Sequence, residues 1–169
     1  MSASPMSSAI HATALLVGER GVLLRGASGA GKSLLALALI DRVRREGGFA
    51  ALVADDRVWL EAVNGRLVAH GRPQLAGLCE RRYEGLVEAP HEPRAVLRLI
   101  VDLAERGHPP PRMPEATDRY ATLGGLALPR LRLDLSPGLD DGVSAILSAL
   151  QRLDGPQWRK NVNDDALFA

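Results

Sequence analysis

Apolar residues along this 169-residue chain fall in short blocks separated by polar turns. Residues 9–17 are apolar apart from His11 and Thr13, and Val22-Leu23-Leu24 forms a second block. Both predict strands, and Gly18-Glu19-Arg20-Gly21 between them predicts a tight reversal, so the pair forms a hairpin. Over residues 33–45 the spacing changes: Leu34, Leu35, Leu37, Ala38 and Ile40 repeat as one side of a helix. Gly47-Gly48 stands where such a helix is expected to stop. Residues 49–54 predict a buried strand that ends in Asp55-Asp56. Residues 57–62 and 66–70 flank Asn64-Gly65, the strongest short hairpin signal. Residues 74–90, rich in Gly, Glu and Arg, predict no regular element. A strand follows at 96–103, then a proline-rich loop at 107–114. The alternation of Leu131, Leu133 and Leu135 predicts a half-buried strand. Residues 140–153 predict an amphipathic helix with Val143, Ile146, Leu147, Leu150 and Leu153 on its apolar face. There is no internal repeat. The pattern predicts one domain over 9–154, a loose tail at 1–8 and a partly disordered tail at 155–169.

One stretch carries chemistry by itself. Gly26-Ala27-Ser28-Gly29-Ala30-Gly31-Lys32-Ser33 reads G-x-x-x-x-G-K-S, the phosphate-binding loop, and it sits between a predicted strand and a predicted helix as that motif requires. Glycine allows backbone N–H groups to turn inward around an anion, where a side chain would block the approach. The following helix adds free amides and the positive end of its dipole. Lys32 supplies a point charge for the outer phosphates and Ser33 a hydroxyl for magnesium. The expected ligand is a nucleoside triphosphate.

Composition narrows the picture without redirecting it. A net charge of +1 gives no electrostatic reason to expect nucleic acid or an anionic membrane as partner. Arg42, Arg44 and Arg45 cluster at the end of the first helix, where cations complement its dipole. The lone Cys79 rules out an internal disulfide and fits a reducing cytoplasm. Residues 1–8 lack the charged start and apolar stretch of a signal peptide, and no apolar run is long enough to span a bilayer. A soluble cytoplasmic protein is expected.

The acid pair Asp55-Asp56 closes an apolar strand and can thereby reach the sheet edge beside the phosphate loop. A carboxylate there can hold magnesium through water or take a proton from an attacking hydroxyl. A guanine-reading Asn-Lys-x-Asp and a Leu-Ser-Gly-Gly signature are both missing. A transferase or a simple hydrolase remains.

From about residue 11 to residue 153 the chain resembles the catalytic domain of the HPr kinase/phosphorylase family. The matching pieces, in order, are His11, the loop Gly26–Ser33, Val53-Ala54-Asp55-Asp56-Arg57, Ala76-Gly77-Leu78-Cys79-Glu80-Arg81-Arg82, and Arg112 within Pro111-Arg112-Met113-Pro114-Glu115. The resemblance implies an α/β fold, a P-loop nucleotide-binding core with a mixed β-sheet flanked by helices. It implies an ATP- and magnesium-dependent kinase that phosphorylates a serine of HPr, the small phosphocarrier of the bacterial sugar phosphotransferase system. It also implies a homo-oligomer, a hexamer in the family, and the chain looks like a short form without the family's N-terminal domain. By the same resemblance Asp55 matches the general base, Lys32 the lysine on the β- and γ-phosphates, and Ser33 and Glu80 two metal-binding positions. Asp56 is expected beside the metal, and His11 and Arg112 match two further active-site positions. The acceptor surface is expected partly from 74–90 and 107–115.

Three departures accompany these matches. Leu34 follows Gly-Lys-Ser where Glu is frequent, Tyr83 stands where the Glu-x-Arg-Gly-x-Gly signature has glycine, and Gly138-Leu139-Asp140 replaces Gly-Arg-Asn. A tyrosine resists backbone angles that glycine permits, so the Tyr83 loop is expected to take a different path. The Gly-Arg-Asn region is linked with phosphate removal, which leaves phosphorolysis open. Besides the protein-serine kinase, two readings stay open: a small-molecule P-loop kinase, and a non-catalytic nucleotide sensor.

Overall fold

The structure is a computed structural model, and it describes residues 9–154; the expectations for 1–8 and 155–169 lie outside the described residues. The first hairpin forms as the pattern predicts, from β1 (Ile10–Val17) and β2 (Arg20–Arg25) paired antiparallel. The phosphate loop follows β2 and leads into α1 (Lys32–Arg45). The helix ends on Gly47, at φ 82°, with Gly47 N–H donating to the Arg44 carbonyl and Gly48 N–H to the Val43 carbonyl. Only a left-handed residue closes both of those bonds, so the glycine pair is the stop signal. Next come β3 (Ala50–Ala54) and the hairpin β4 (Arg57–Val63)–β5 (Arg66–His70) around Asn64-Gly65.

Two elements differ from expectation. Residues 74–90 are not irregular: β6 (Leu78–Arg81) and β7 (Gly85–Glu88) form a separate two-stranded hairpin. Its strands are short and mostly solvent-facing, so they show no apolar alternation. After β8 (Arg94–Leu103), residues 120–133 form a hairpin of β9 (Tyr120–Leu123) and β10 (Leu126–Leu133) about Gly124-Gly125. Only the end of β10 was marked by the leucine alternation. The chain then enters α2 (Leu139–Leu153).

β2, β3, β8 and β10 run in one direction while β1, between β2 and β3, runs against them, so the main sheet is mixed. α1 and α2 pack together on one face, over a core that includes Leu15, Leu24, Leu35, Leu39, Leu99, Val101, Ile146 and Leu150. The other face is closed by strands. β4 and β5 bridge from β1 to β8, so the pairing runs β1–β2–β8–β5–β4 and back to β1. A second core fills this ring, with Ala12, Ala14, Leu23, Val58, Leu60, Leu67, Ala95 and Leu97.

β8 serves both cores through a bulge. Gly21 pairs with Leu97 but Val22 pairs with Leu99, leaving Arg98 as the extra residue. An extra residue reverses which side the following residues face. Thus Ala95 and Leu97 point into the ring, whereas Leu99, Val101 and Leu103 point to the helices. Gly21 is required at this bulge: a Cβ there would lie 2.5 Å from the Val96 carbonyl oxygen. Gly21→Ala is therefore expected to destabilise the domain by about 1–3 kcal/mol, seen as a lower Tm in a thermal melt.

The carboxyl ends of the parallel strands are tied together below the phosphate loop. Asp102 on β8 accepts two hydrogen bonds from Arg25 (2.7 and 2.8 Å) and one from Arg130 on β10 (2.5 Å). Burial, the largest single influence, works against its ionisation, but the two arginines outweigh it and hold the carboxyl below its ordinary value. A depressed folded-state value contributes stability above the unfolded pKa, near 3.9, that is lost as pH falls through the folded value. Asp102→Asn removes this contribution at neutral pH, so the expected result is a loss of about 1–3 kcal/mol in denaturant unfolding at pH 7 that shrinks below about pH 4.

Candidate active site

Open α/β sheets place ligands beyond the carboxyl ends of their parallel strands, and the loop after β2 lies there. Gly26, Gly29 and Gly31 take φ values of 155°, 79° and 101°, a left-handed series that side chains resist. Ser28 and Gly29 are exposed at the loop tip. Lys32 is buried, and its ammonium donates to the carbonyls of Gly26 (2.9 Å) and Ala27 (3.0 Å). Burial lowers its pKa, and the charges of Asp55 and Asp56 work in the opposite direction. The lysine thus braces the loop from inside while facing the acid pair.

Asp55 is the hub. Its Oδ1 accepts from Thr13 Oγ1 (2.7 Å) and Ser33 Oγ (2.8 Å), and its Oδ2 accepts from Ser33 Oγ (3.0 Å) and the Glu80 N–H (3.0 Å). Four elements meet here: β1 gives Thr13, the start of α1 gives Ser33, the end of β3 leads to Asp55, and β6 gives the Glu80 amide. A carboxylate held by this many donors is fixed in orientation.

Asp56 turns away from its neighbour. Its backbone takes φ 88°, and its N–H and carbonyl pair with Ala12 on β1. Asp tolerates the left-handed region better than most residues. The twist sends the Asp56 carboxylate to His11, with Nε2–Oδ1 at 3.0 Å, in an exposed pair. The two acids therefore occupy different surroundings, one half-buried among hydroxyls and one exposed at the rim.

The remaining sequence candidates are placed less centrally. Glu80 meets Asp55 through its backbone amide, and its side chain is exposed. Arg112 is exposed in the 107–115 segment and makes no hydrogen bond or ion pair with described residues, so it is not part of the assembled cluster.

The pattern missed two contributors. Thr13 is fully buried and anchors Asp55; its signal was a hydroxyl interrupting an otherwise apolar strand. Cys79 is fully buried against Asp55 and Ser33. Burial foremost, and then the charge of Asp55, push its thiol up to about 12. It is a neutral thiol at physiological pH, which excludes it as a nucleophile.

The Ser33 hydroxyl is a hard-oxygen donor of the kind that magnesium takes. Among the described residues no group of three or more His, Cys, Asp or Glu could hold a metal ion. No helix among the described residues is long and apolar enough to cross a membrane.

The family model for the HPr serine kinase C-terminal domain matches residues 4–144. The chain belongs to the HPr serine kinase C-terminal domain family. HPr kinase/phosphorylase from Neisseria meningitidis serogroup C is 39% identical over 108 residues, 59% of this chain and 32% of that protein. The Clostridium tetani HPr kinase/phosphorylase is 36% identical over 81 residues, 48% of this chain and 25% of that protein. The chain spans a third or less of the length of these curated relatives. Among solved structures, the Hpr(Ser) kinase/phosphatase from Coxiella burnetii superposes with a TM-score of 0.72, over 88% of this chain and 100% of that one. At 22% identity that likeness establishes the α/β fold.

The three departures from the pattern of the HPr serine kinase family now have locations. Leu34 is half exposed on the first turn of α1. Tyr83 sits at the tip of the β6–β7 hairpin with φ 72° and a fully solvated side chain. It thus adopts the left-handed conformation a glycine would supply rather than avoiding it. Leu139 starts α2 and packs against the helix-side core, so an apolar contact stands where the family carries arginine.

Proposed function

We propose that this domain is an ATP-dependent protein-serine kinase acting on an HPr-type phosphocarrier protein in the cytoplasm, with magnesium as cofactor. The observation that carries the reading is the convergence of Ser33, Thr13 and the Glu80 amide on one oriented carboxylate, Asp55, beside a complete phosphate loop. In this reading the acceptor's serine oxygen attacks the γ-phosphorus in line. Its bond forms as the bond to the β,γ-bridging oxygen breaks, ADP leaves, and the serine proton passes to Asp55. Lys32, released from the carbonyls of Gly26 and Ala27, stabilises the charge that develops on the transferring phosphoryl group. Magnesium bound to Ser33 would neutralise charge on the β- and γ-oxygens. Asp56 with His11 and Glu80 stand at the rim, where Arg112 is proposed to join them from the 107–115 segment. Positioning supplies much of the acceleration in such transfers.

The test is transfer of the γ-phosphoryl group of ATP to the HPr-type carrier of the same cell, read by intact mass and by mapping the modified residue. A gain of one phosphate on a serine, lost when that serine is replaced by alanine, is the expected result. ATP turnover onto a metabolite with the carrier unmodified would contradict the reading.

A further inference from the structure

A cavity of about 730 Å³ opens beside Asp56, lined by His11, Asp56, Arg57, Trp59 and Arg72 among others and by no residue of the phosphate loop. It adjoins a smaller one of about 180 Å³ that reaches Asp55 itself and shares Asp56, Arg57, Trp59 and Arg72. Two cations, Arg57 and Arg72, therefore line the same cavity as the hub carboxylate, and no phosphate-loop residue lines it.

The way they are held is informative. The Arg72 guanidinium lies over the Trp59 ring, 5.2 Å from its centroid, and Trp59 is in turn stacked with His70, with ring centroids 6.4 Å apart. A ring face orients a guanidinium without using its N–H donors. Neither Arg72 nor Arg57 forms an ion pair with any described carboxylate. The nearby acids are occupied: Asp55 by Ser33, Thr13 and the Glu80 amide, Asp56 by His11. The cavity thus presents two guanidiniums whose forks are free, one of them oriented by an aromatic plane. Such forks match the two oxygens of a carboxylate or a phosphate.

We propose that this cavity is an oxyanion subsite, taking a carboxylate or phosphate group that adjoins the hydroxyl to be phosphorylated. Its place beside Asp55 makes an acidic or phosphorylated group on the acceptor the favoured source, and that assignment rests on the kinase reading above. The anion chemistry does not, because it stands on Arg57, Arg72 and Trp59.

Inorganic phosphate and succinate serve as probes, followed by calorimetry and by tryptophan fluorescence. The titrations use the wild-type chain and the Lys32→Met, Arg72→Ala and Arg72→Lys variants. Lys32→Met weakens the phosphate loop as a competing anion site. Saturable binding that survives in Lys32→Met, falls at least tenfold in Arg72→Ala and falls less in Arg72→Lys is the expected result. No saturable binding, or binding that Lys32→Met removes and Arg72→Ala leaves intact, overturns the proposal. Kinetics then separate the sources. A tenfold rise in KM for the carrier in Arg72→Ala, with KM for ATP and kcat unchanged, assigns the anion to the acceptor. An unchanged KM for the carrier alongside weakened phosphate binding keeps the subsite and assigns it to a free anion. A wild-type chain that labels no carrier defeats the kinase reading, while the anion titrations still decide the subsite.

Discussion

Asp55→Asn is expected to lower the rate of phosphoryl transfer by about 10²–10⁴, the range attributed to a positioned general base. The amide keeps the size of the carboxylate and one of its acceptor oxygens, so it retains part of the hydrogen bonding to Ser33 Oγ, Thr13 Oγ1 and the Glu80 N–H. What it loses is the capacity to take a proton and the negative charge facing Lys32. The fold is therefore expected to survive, and the damage to fall on kcat rather than on KM for ATP. Steady-state kinetics with circular dichroism as a folding control check this. Asp56→Asn is the informative partner, since its carboxylate bonds the exposed His11 and not the hydroxyl cluster. A much smaller loss there would separate the roles of two adjacent acids.

Lys32→Met is expected to separate activity from stability in the opposite direction. The ammonium is buried against two backbone carbonyls, and burial lowers its pKa, so the folded state disfavours the charge. Methionine keeps the apolar stem and removes that cost. Tm is expected to hold or rise, offset by two loop carbonyls losing a donor and by Asp55 and Asp56 losing a facing cation. Turnover is expected to fall by at least about 10², the effect of deleting one donor to developing negative charge. Functional sites commonly trade stability for activity in this way. Thermal melts and turnover measured on one preparation check both halves.

How much of this was legible in the chain differs by element. The loop Gly26–Ser33 was readable because its chemistry is local: consecutive backbone amides and a side chain six residues after the first glycine bind one ligand. The helix ends, the Asn64-Gly65 hairpin and the strand ending at Asp55 were readable for the same reason. The β6–β7 hairpin was not, because its residues are mostly solvated and carry no period. The parallel pairing of β2 with β8 joins residues about 75 positions apart and leaves no local trace. The site divides along the same line. Asp55 and Ser33 were marked by motif, but Thr13 and Cys79 reach Asp55 only through the tertiary fold, and nothing in their local sequence joins them to it. The Arg72–Trp59 contact also needs two elements brought together, and its arginine sits in a segment that predicted no structure at all.

The central claim is that Asp55, oriented by the loop hydroxyl, accepts a proton during transfer to a carrier serine. Its most direct test is one experiment with γ-labelled ATP, magnesium and the HPr-type carrier, run with the wild-type chain, Lys32→Met and Asp55→Asn. The account predicts label on a carrier serine with the wild type, at least a hundredfold less with either variant, and ATP still bound by Asp55→Asn. Carrier labelled by Asp55→Asn as fast as by the wild type would contradict it.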